Sequence, residues 1–188
     1  AIYNYSMIAA ELDGIRIGSD AVAADNTNNL FNYGTIDSTT GSGVHVTGDN
    51  VGNSAILRNW GTITAAEGNG IRVDGDNRLF VINAVSGSIG TDGSSRVGGA
   101  GLSVGGDNVA GTAPAFIENS GSIYAEGDGL QLEGDNLDGT VGNTTGGLID
   151  SLAAGIHVGG NNGPGGIVSN EGNIAAVTDG IRVDLANA

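Results

Sequence analysis

The chain has 188 residues, of which 36 are glycine, against two prolines, no cysteine and 4% aromatic residues. Glycine at about a fifth, with no Gly-X-Y period and no thiol, excludes collagen, a disulfide scaffold and thiolate metal sites. Hydrophobic residues at 39% suffice for a core despite the net charge of −15, and that charge sets aside nucleic acid and anionic membrane surfaces as partners.

In chain order, the first element is Asn4-Tyr5-Ser6-Met7-Ile8, followed by Gly14-Ile15-Arg16-Ile17. The pair returns as Asn32-Tyr33-Gly34-Thr35-Ile36 with Gly43-Val44-His45-Val46, and as Asn59-Trp60-Gly61-Thr62-Ile63 with Gly70-Ile71-Arg72-Val73. The fourth copy deviates in its first half, Val85-Ser86-Gly87-Ser88-Ile89, and the irregular stretch from Thr91 to Ala100 separates it from Gly101-Leu102-Ser103-Val104. That stretch is the expected protruding loop. The fifth copy is Asn119-Ser120-Gly121-Ser122-Ile123 with Gly129-Leu130-Gln131-Leu132. The sixth deviates at Thr145-Gly146-Gly147-Leu148-Ile149 before Gly155-Ile156-His157-Val158, and the seventh is Asn170-Glu171-Gly172-Asn173-Ile174 with Gly180-Ile181-Arg182-Val183. Gly-Asp-Asn closes four copies, at Asp49, Asp76, Asp107 and Asp135, with Gly160-Asn161-Asn162 as a variant. Seven units, approximately 1–29, 30–55, 56–79, 80–115, 116–141, 142–166 and 167–188, make one repetitive domain.

Both motifs alternate apolar and polar residues around β-branched cores, which is strand chemistry. A unit of this size cannot bury its apolar face alone, whereas stacked units bury isoleucine on isoleucine at about 4.8 Å. The expected fold is therefore all-β: a right-handed parallel β-helix, or β-solenoid, of about seven rungs. Ile8, Ile36, Ile63, Ile89, Ile123, Ile149 and Ile174 should share one interior column. Leucine-rich repeats, propellers and the Ca²⁺-binding nonapeptide roll do not fit the pattern or the period.

Asn-x-Gly-Thr-Ile followed by Gly-Ile-x-Val, as from Asn59 to Val73, resembles the degenerate repeats of bacterial autotransporter passenger domains and related large surface adhesins. The resemblance spans all seven units and is one of pattern. It implies a secreted, surface-displayed, rod-shaped segment of a longer chain, extracellular and on the bacterial cell surface. The absence of cysteine agrees with such export.

Alternation turns the asparagine of Asn-x-Gly inward, where stacked amides can hydrogen-bond along the rod axis. The middle residue of Gly-apolar-x-apolar turns outward, giving the column Arg16, His45, Arg72, Ser103, Gln131, His157 and Arg182. Two readings stand beside each other: a surface for an anionic glycan or the arginine base of a polysaccharide lyase, and an exposed strand position balancing acids such as Asp74 and Asp184. Asp49, Asp76, Asp107 and Asp135 would stack in the turns, so weak Ca²⁺ binding stands against an ordinary Gly-Asp-Asn turn; no cofactor is required. Asp13, Asp128 and Asp179, each before a repeat glycine, form a second acidic set.

Five of the eight aromatic residues, Tyr3, Tyr5, Phe31, Tyr33 and Trp60, occupy outward positions in the first three units. They form either an interface or carbohydrate platform, or a patch covered by a neighbouring loop such as Asp20 to Asn29. No Ser-His-Asp, His-Glu-x-x-His or phosphate-loop arrangement is present. The expected function is a non-enzymatic structural or adhesive rod with a host or environmental glycan as a partner; the alternative is a polysaccharide-acting lyase or hydrolase. Neither end shows a capping helix or charge cluster, which leads to the expectation of head-to-tail continuation, within a longer passenger or between copies as a filament.

Overall fold

A computed structural model describes residues 1–18, 25–51, 55–111 and 113–184. Every described element is a short strand, and three strands make each coil. Coil 1 holds β1 (Ile2–Asn4), β2 (Met7–Ala10) and β3 (Ile15–Ile17); coil 2 holds β4 (Leu30–Asn32), β5 (Thr35–Ser38) and β6 (Val44–Val46); coil 3 holds β7 (Ile56–Asn59), β8 (Thr62–Ala65) and β9 (Ile71–Val73). Coil 4 follows with β10 (Phe80–Asn83), β11 (Ser88–Ile89) and β12 (Leu102–Val104), and coil 5 with β13 (Phe116–Asn119), β14 (Ser122–Ala125) and β15 (Leu130–Leu132). Coil 6 holds β16 (Thr140–Asn143), β17 (Leu148–Ser151) and β18 (Ile156–Val158), and coil 7 holds β19 (Ile167–Asn170), β20 (Asn173–Ala176) and β21 (Ile181–Val183). Strands in equivalent positions pair in parallel, giving three seven-stranded sheets that wrap one core: a parallel β-solenoid.

The register puts like on like. Ile8, Ile36, Ile63, Ile89, Ile123, Ile149 and Ile174 form the anticipated interior column in the second sheet. Leu30, Leu57, Val81, Ile117 and Val141 form another in the first sheet, and Val44, Ile71, Leu102, Leu130 and Ile156 a third in the third sheet. Apart from the partly buried Ile8 and Ile174 all are at most 2% exposed, so the core is continuous from coil to coil.

The asparagine ladder runs without a break. Asn4, Asn32, Asn59, Asn83, Asn119 and Asn143 each pass an Nδ2–H to the Oδ1 of the next member at 2.7–2.9 Å, ending at Asn170. The spacing of Asn-x-Gly puts Val85 and Thr145 in the ladder position of coils 4 and 6, where Asn83 and Asn143 stand. The structure corrects this: the bend after β10 and β16 is two residues longer than in the other coils, and in β16's bend Gly146 takes φ +86°, a left-handed conformation open to glycine. A second ladder, not foreseen, comes from the Gly-Asp-Asn turns. Asn26, Asn50, Asn77, Asn108, Asn136 and Asn162 are linked Nδ2–H to Oδ1 at 2.7–2.9 Å. Both ladders satisfy amides that would otherwise cost about 1–3 kcal/mol each to bury.

Glycine before the third-sheet strand is demanded by packing. A Cβ on Gly43, Gly70, Gly101, Gly129 or Gly155 would run into Cγ2 of the isoleucine in the following coil, Ile63, Ile89, Ile123, Ile149 or Ile174. On Gly70 it would also lie 2.6 Å from the Gly101 carbonyl oxygen.

Two substitutions test this architecture in a thermal melt. Ile63→Asp places an unpaired carboxylate where exposure is 0% and should unfold the chain, since the several kcal/mol it costs rivals a total stability of about 5–15 kcal/mol. Gly70→Ala should destabilise by about 1–3 kcal/mol through overpacking, and an unchanged melting temperature would contradict the packing of Ile89 on Gly70.

Candidate functional site

The outward column of the third sheet assembles as Arg16, His45, Arg72, Ser103, Gln131, His157 and Arg182 in direct register. Its charged members sit among carboxylates. Arg72 Nε donates to Asp74 and Arg182 Nε to Asp184, both at 2.5 Å, and Arg16 reaches Asp13 at 2.9 Å. Beside the first three coils the column lines a shallow cleft of about 450 Å³ with Leu12, Glu67 and Asn69 on its walls.

The two histidines occupy equivalent environments four coils apart. His45 holds Asp13 of the coil before through Nδ1 at 2.9 Å and Asp74 of the coil after through Nε2 at 3.0 Å. His157 repeats this with Asp128 at 2.8 Å and Asp184 at 3.0 Å. Asp13 and Asp128 also accept backbone N–H groups of the following coil, from Ser42 and Ala154, both at 2.8 Å. The second acidic set thus acts across coils. A neutral imidazole has one N–H, so His157 satisfies both carboxylates only as the imidazolium. Partial burial works against that charge, but the hydrogen bonds to Asp184 and Asp128 outweigh it and raise the His157 pKa above the ordinary imidazole value. Asp184 is held below the usual carboxylate range first by Arg182, then by His157. At Asp74 desolvation pushes the other way and is outweighed by His45 and Arg72, so its pKa is also lowered.

Tyr3 and Phe31 lie on the outer face of the first sheet and Tyr5, Tyr33 and Trp60 in the bends after β1, β4 and β7, and the five rings come together as a ladder. Tyr5 stacks on Tyr33 at 5.1 Å and Tyr33 on Trp60 at 4.9 Å, with ring planes within 5°. Tyr3 contacts Phe31 at 5.3 Å, Phe31 contacts Trp60 at 5.7 Å, and the Arg58 guanidinium lies 5.1 Å from the Trp60 ring. Stacking consumes ring faces: Tyr33 has Tyr5 on one side and Trp60 on the other. The patch is therefore a column of ring edges rather than a flat platform, and Tyr5, 72% exposed, keeps the most open surface. Tyr3 and Tyr33 are also exposed, at 52% and 43%. Of the segment expected to cover them, residues 20–24 lie outside the described residues. Sequence reasoning did not single out Arg58; its place in register with Phe31 is the signal that marks it.

The Gly-Asp-Asn carboxylates also work between coils. Oδ1 of Asp49, Asp76, Asp107 and Asp135 accepts the backbone N–H of Asp76, Asp107, Asp135 and Asn161 in turn, at 2.7–2.9 Å. One oxygen of each is therefore engaged, and among the described residues no three histidines or acids are grouped to hold a metal ion. The stretch from Thr91 leaves the second sheet at Gly90, where φ is +70°, and rejoins it at Val97, which bridges to Ala125. Arg96 pins the excursion by donating to the Asp150 carbonyl at 2.6 Å and to its carboxylate at 2.9 Å.

Comparison with protein-family profiles, with curated proteins and with solved structures gives no match for the chain. The fold and these surfaces rest on the geometry alone.

His157 makes stability depend on pH. Its folded pKa is raised, so its contribution is complete below the unfolded value of about 6.5 and is lost as pH rises through the folded value. Asp184, with a lowered folded pKa, contributes above the unfolded carboxylate value of about 3.9 and loses that contribution as pH falls through its folded value. Melting temperatures should peak between these windows and decline above about pH 6.5. His157→Gln should flatten the alkaline decline; a decline of unchanged size would show that His157 does not contribute to it.

Proposed function

We propose that the chain is a non-enzymatic structural and adhesive rod segment of a secreted bacterial surface protein, continuing head-to-tail into further coils. The observation that carries this is the uniform stack: the three sheets, the isoleucine column and the asparagine ladder run through all seven coils in one register, which is the geometry of a rod. Surface display rests on the resemblance of the Asn-x-Gly-Thr-Ile and Gly-Ile-x-Val repeats to passenger and adhesin repeats. The adhesive surface of the rod is the aromatic ladder with Arg58, and its partner is a host or environmental glycan read by ring edges and a guanidinium.

Polysaccharide cleavage is the competing activity. Against it, the Arg72 guanidinium that would serve as the lyase base is already bonded to the Asp74 carboxylate. A screen of the purified chain on acidic polysaccharides with Ca²⁺ present should show no chain shortening. Cleavage that disappears in Arg72→Ala would replace the rod reading with the enzymatic one. In a glycan-binding assay, Trp60→Ala should lower retention about tenfold, as expected for loss of an aromatic contact worth about 1.5 kcal/mol.

A further inference from the structure

The chain carries 21 acidic residues against six arginines and no lysine. Five of the arginines, Arg16, Arg72, Arg78, Arg96 and Arg182, each bond to an aspartate. Arg58 is the exception. Among the described residues its guanidinium has neither an ion pair nor a hydrogen bond, and it is matched only with the Trp60 ring. Where acids are in such excess, a cation without a carboxylate is conspicuous, and this one stands within the aromatic ladder. The outward column of the third sheet is the other place the sequence offers to an anionic glycan, but its arginines are already matched to aspartates.

The geometry around Arg58 suits an anion from outside. Of its nitrogens only Nε is buried without an acceptor, which leaves the two Nη groups as the open side of the cation. The residue is in register between Phe31 and Ile82, and Ile82 is buried. Its guanidinium lies 5.1 Å from the Trp60 ring centroid. A cation held in this way loses little freedom on meeting a ligand, and its planar fork matches the oxygens of a carboxylate or a sulfate ester. The Tyr33 hydroxyl and the Trp60 indole N–H make no hydrogen bond among the described residues, so they are available to the hydroxyl groups of a sugar.

The surroundings do not repel such a ligand. Strands β1, β4, β7 and β10 and the bends that carry Tyr5, Tyr33 and Trp60 contain no acid. The first acid in the Arg58 column is Glu118, two coils farther on, and its Oε1 accepts from Ser120 Oγ at 3.1 Å. Two coils are about 10 Å at strand spacing, and beyond about 8 Å exposed charges are largely screened at physiological ionic strength.

We infer that the aromatic ladder takes an acidic glycan, whose carboxylate or sulfate ester pairs with the Nη groups of Arg58 while its sugar ring lies along the edges of Tyr33 and Trp60. This rests on the adhesive reading above and narrows the partner from glycans in general to those with an anionic group.

Retention of the full chain on two matched pairs of polymers tests it: polygalacturonate against its fully methyl-esterified form, and dextran sulfate against dextran. A chelator is present throughout, so that no divalent cation bridges the acidic rod to an acidic polymer. The parent should be held about tenfold more strongly by the acidic member of at least one pair, as expected for a charge-assisted hydrogen bond. The pair that shows the preference identifies the anion as carboxylate or sulfate. Arg58→Gln should abolish the preference and leave retention on the neutral member unchanged. Arg78→Gln removes the same charge from an arginine bonded to Asp76 and should leave the preference intact. Equal retention of acidic and neutral members by the parent, retention on none of the four, or a preference that survives Arg58→Gln would overturn the inference. So would a preference lost equally in Arg78→Gln. The comparison of acid with ester uses the parent alone, so it decides the matter even where Arg58→Gln fails to fold. Equal retention within both pairs that falls in Trp60→Ala would remove the acidic class and leave the adhesive reading standing.

Discussion

Everything in this molecule follows from stacking coils in parallel at the spacing of neighbouring strands, about 4.8 Å. At that distance each residue has its own counterpart above and below, so every position becomes a column and each column must tolerate self-contact. Isoleucine does so by dispersion and exclusion of water. Asparagine does so because it carries a donor and an acceptor on one short side chain, so that a stack of amides can pass hydrogen bonds indefinitely. Glycine does so where the neighbouring coil approaches too closely for any side chain, as at Gly70 beneath Ile89.

Charge is harder to stack, and the structure deals with it by offsetting partners along the axis. The turn carboxylates from Asp49 to Asp135 lie one above another, a repulsive arrangement that is relieved because each faces the backbone N–H of the coil that follows. In the outward column of the third sheet, basic residues follow one another at Arg16, His45 and Arg72, and Asp13 of coil 1 and Asp74 of coil 3 interleave with them. An arginine carries its charge across the physiological range, whereas His157 donates to both of its carboxylates only while protonated. The strength of coil-to-coil coupling is thus uneven along the rod, and at His157 it varies with pH.

The aromatic ladder shows how the same rule shapes a surface. Rings in register at strand spacing stack face to face, so a cluster that would be a flat binding platform in another fold presents edges here. The ring stack ends at coil 3, where Arg58 lies over Trp60; the neighbouring column of Tyr3, Phe31 and Arg58 continues with Ile82, Glu118, Gly142 and Ser169. Farther along the same sheet, in coils 4 and 5, Phe80 and Phe116 stack at 5.4 Å as a separate pair.

The architecture was legible in the sequence because period, alternation and the residue types in each motif are local properties that stacking merely repeats. The isoleucine column and the inward ladder could be read from spacing and parity alone. Parity failed where a bend gained two residues: Asn83 and Asn143 sit outside the Asn-x-Gly string, and only the requirement that each buried amide meet another pulled them into the ladder. The second ladder was hidden for a different reason, since Asp and Asn of Gly-Asp-Asn are both common in turns and nothing in the string tells which side chain is buried. Which acid meets which histidine depends on contacts between residues one coil apart, a distance of 27–32 residues along the chain that no local pattern encodes. The amino-acid sequence by itself determined that coils form and what lies in each column; the tertiary structure alone decided how columns interlock, because hydrogen-bond direction and close steric approach exist only once one coil is laid on the next.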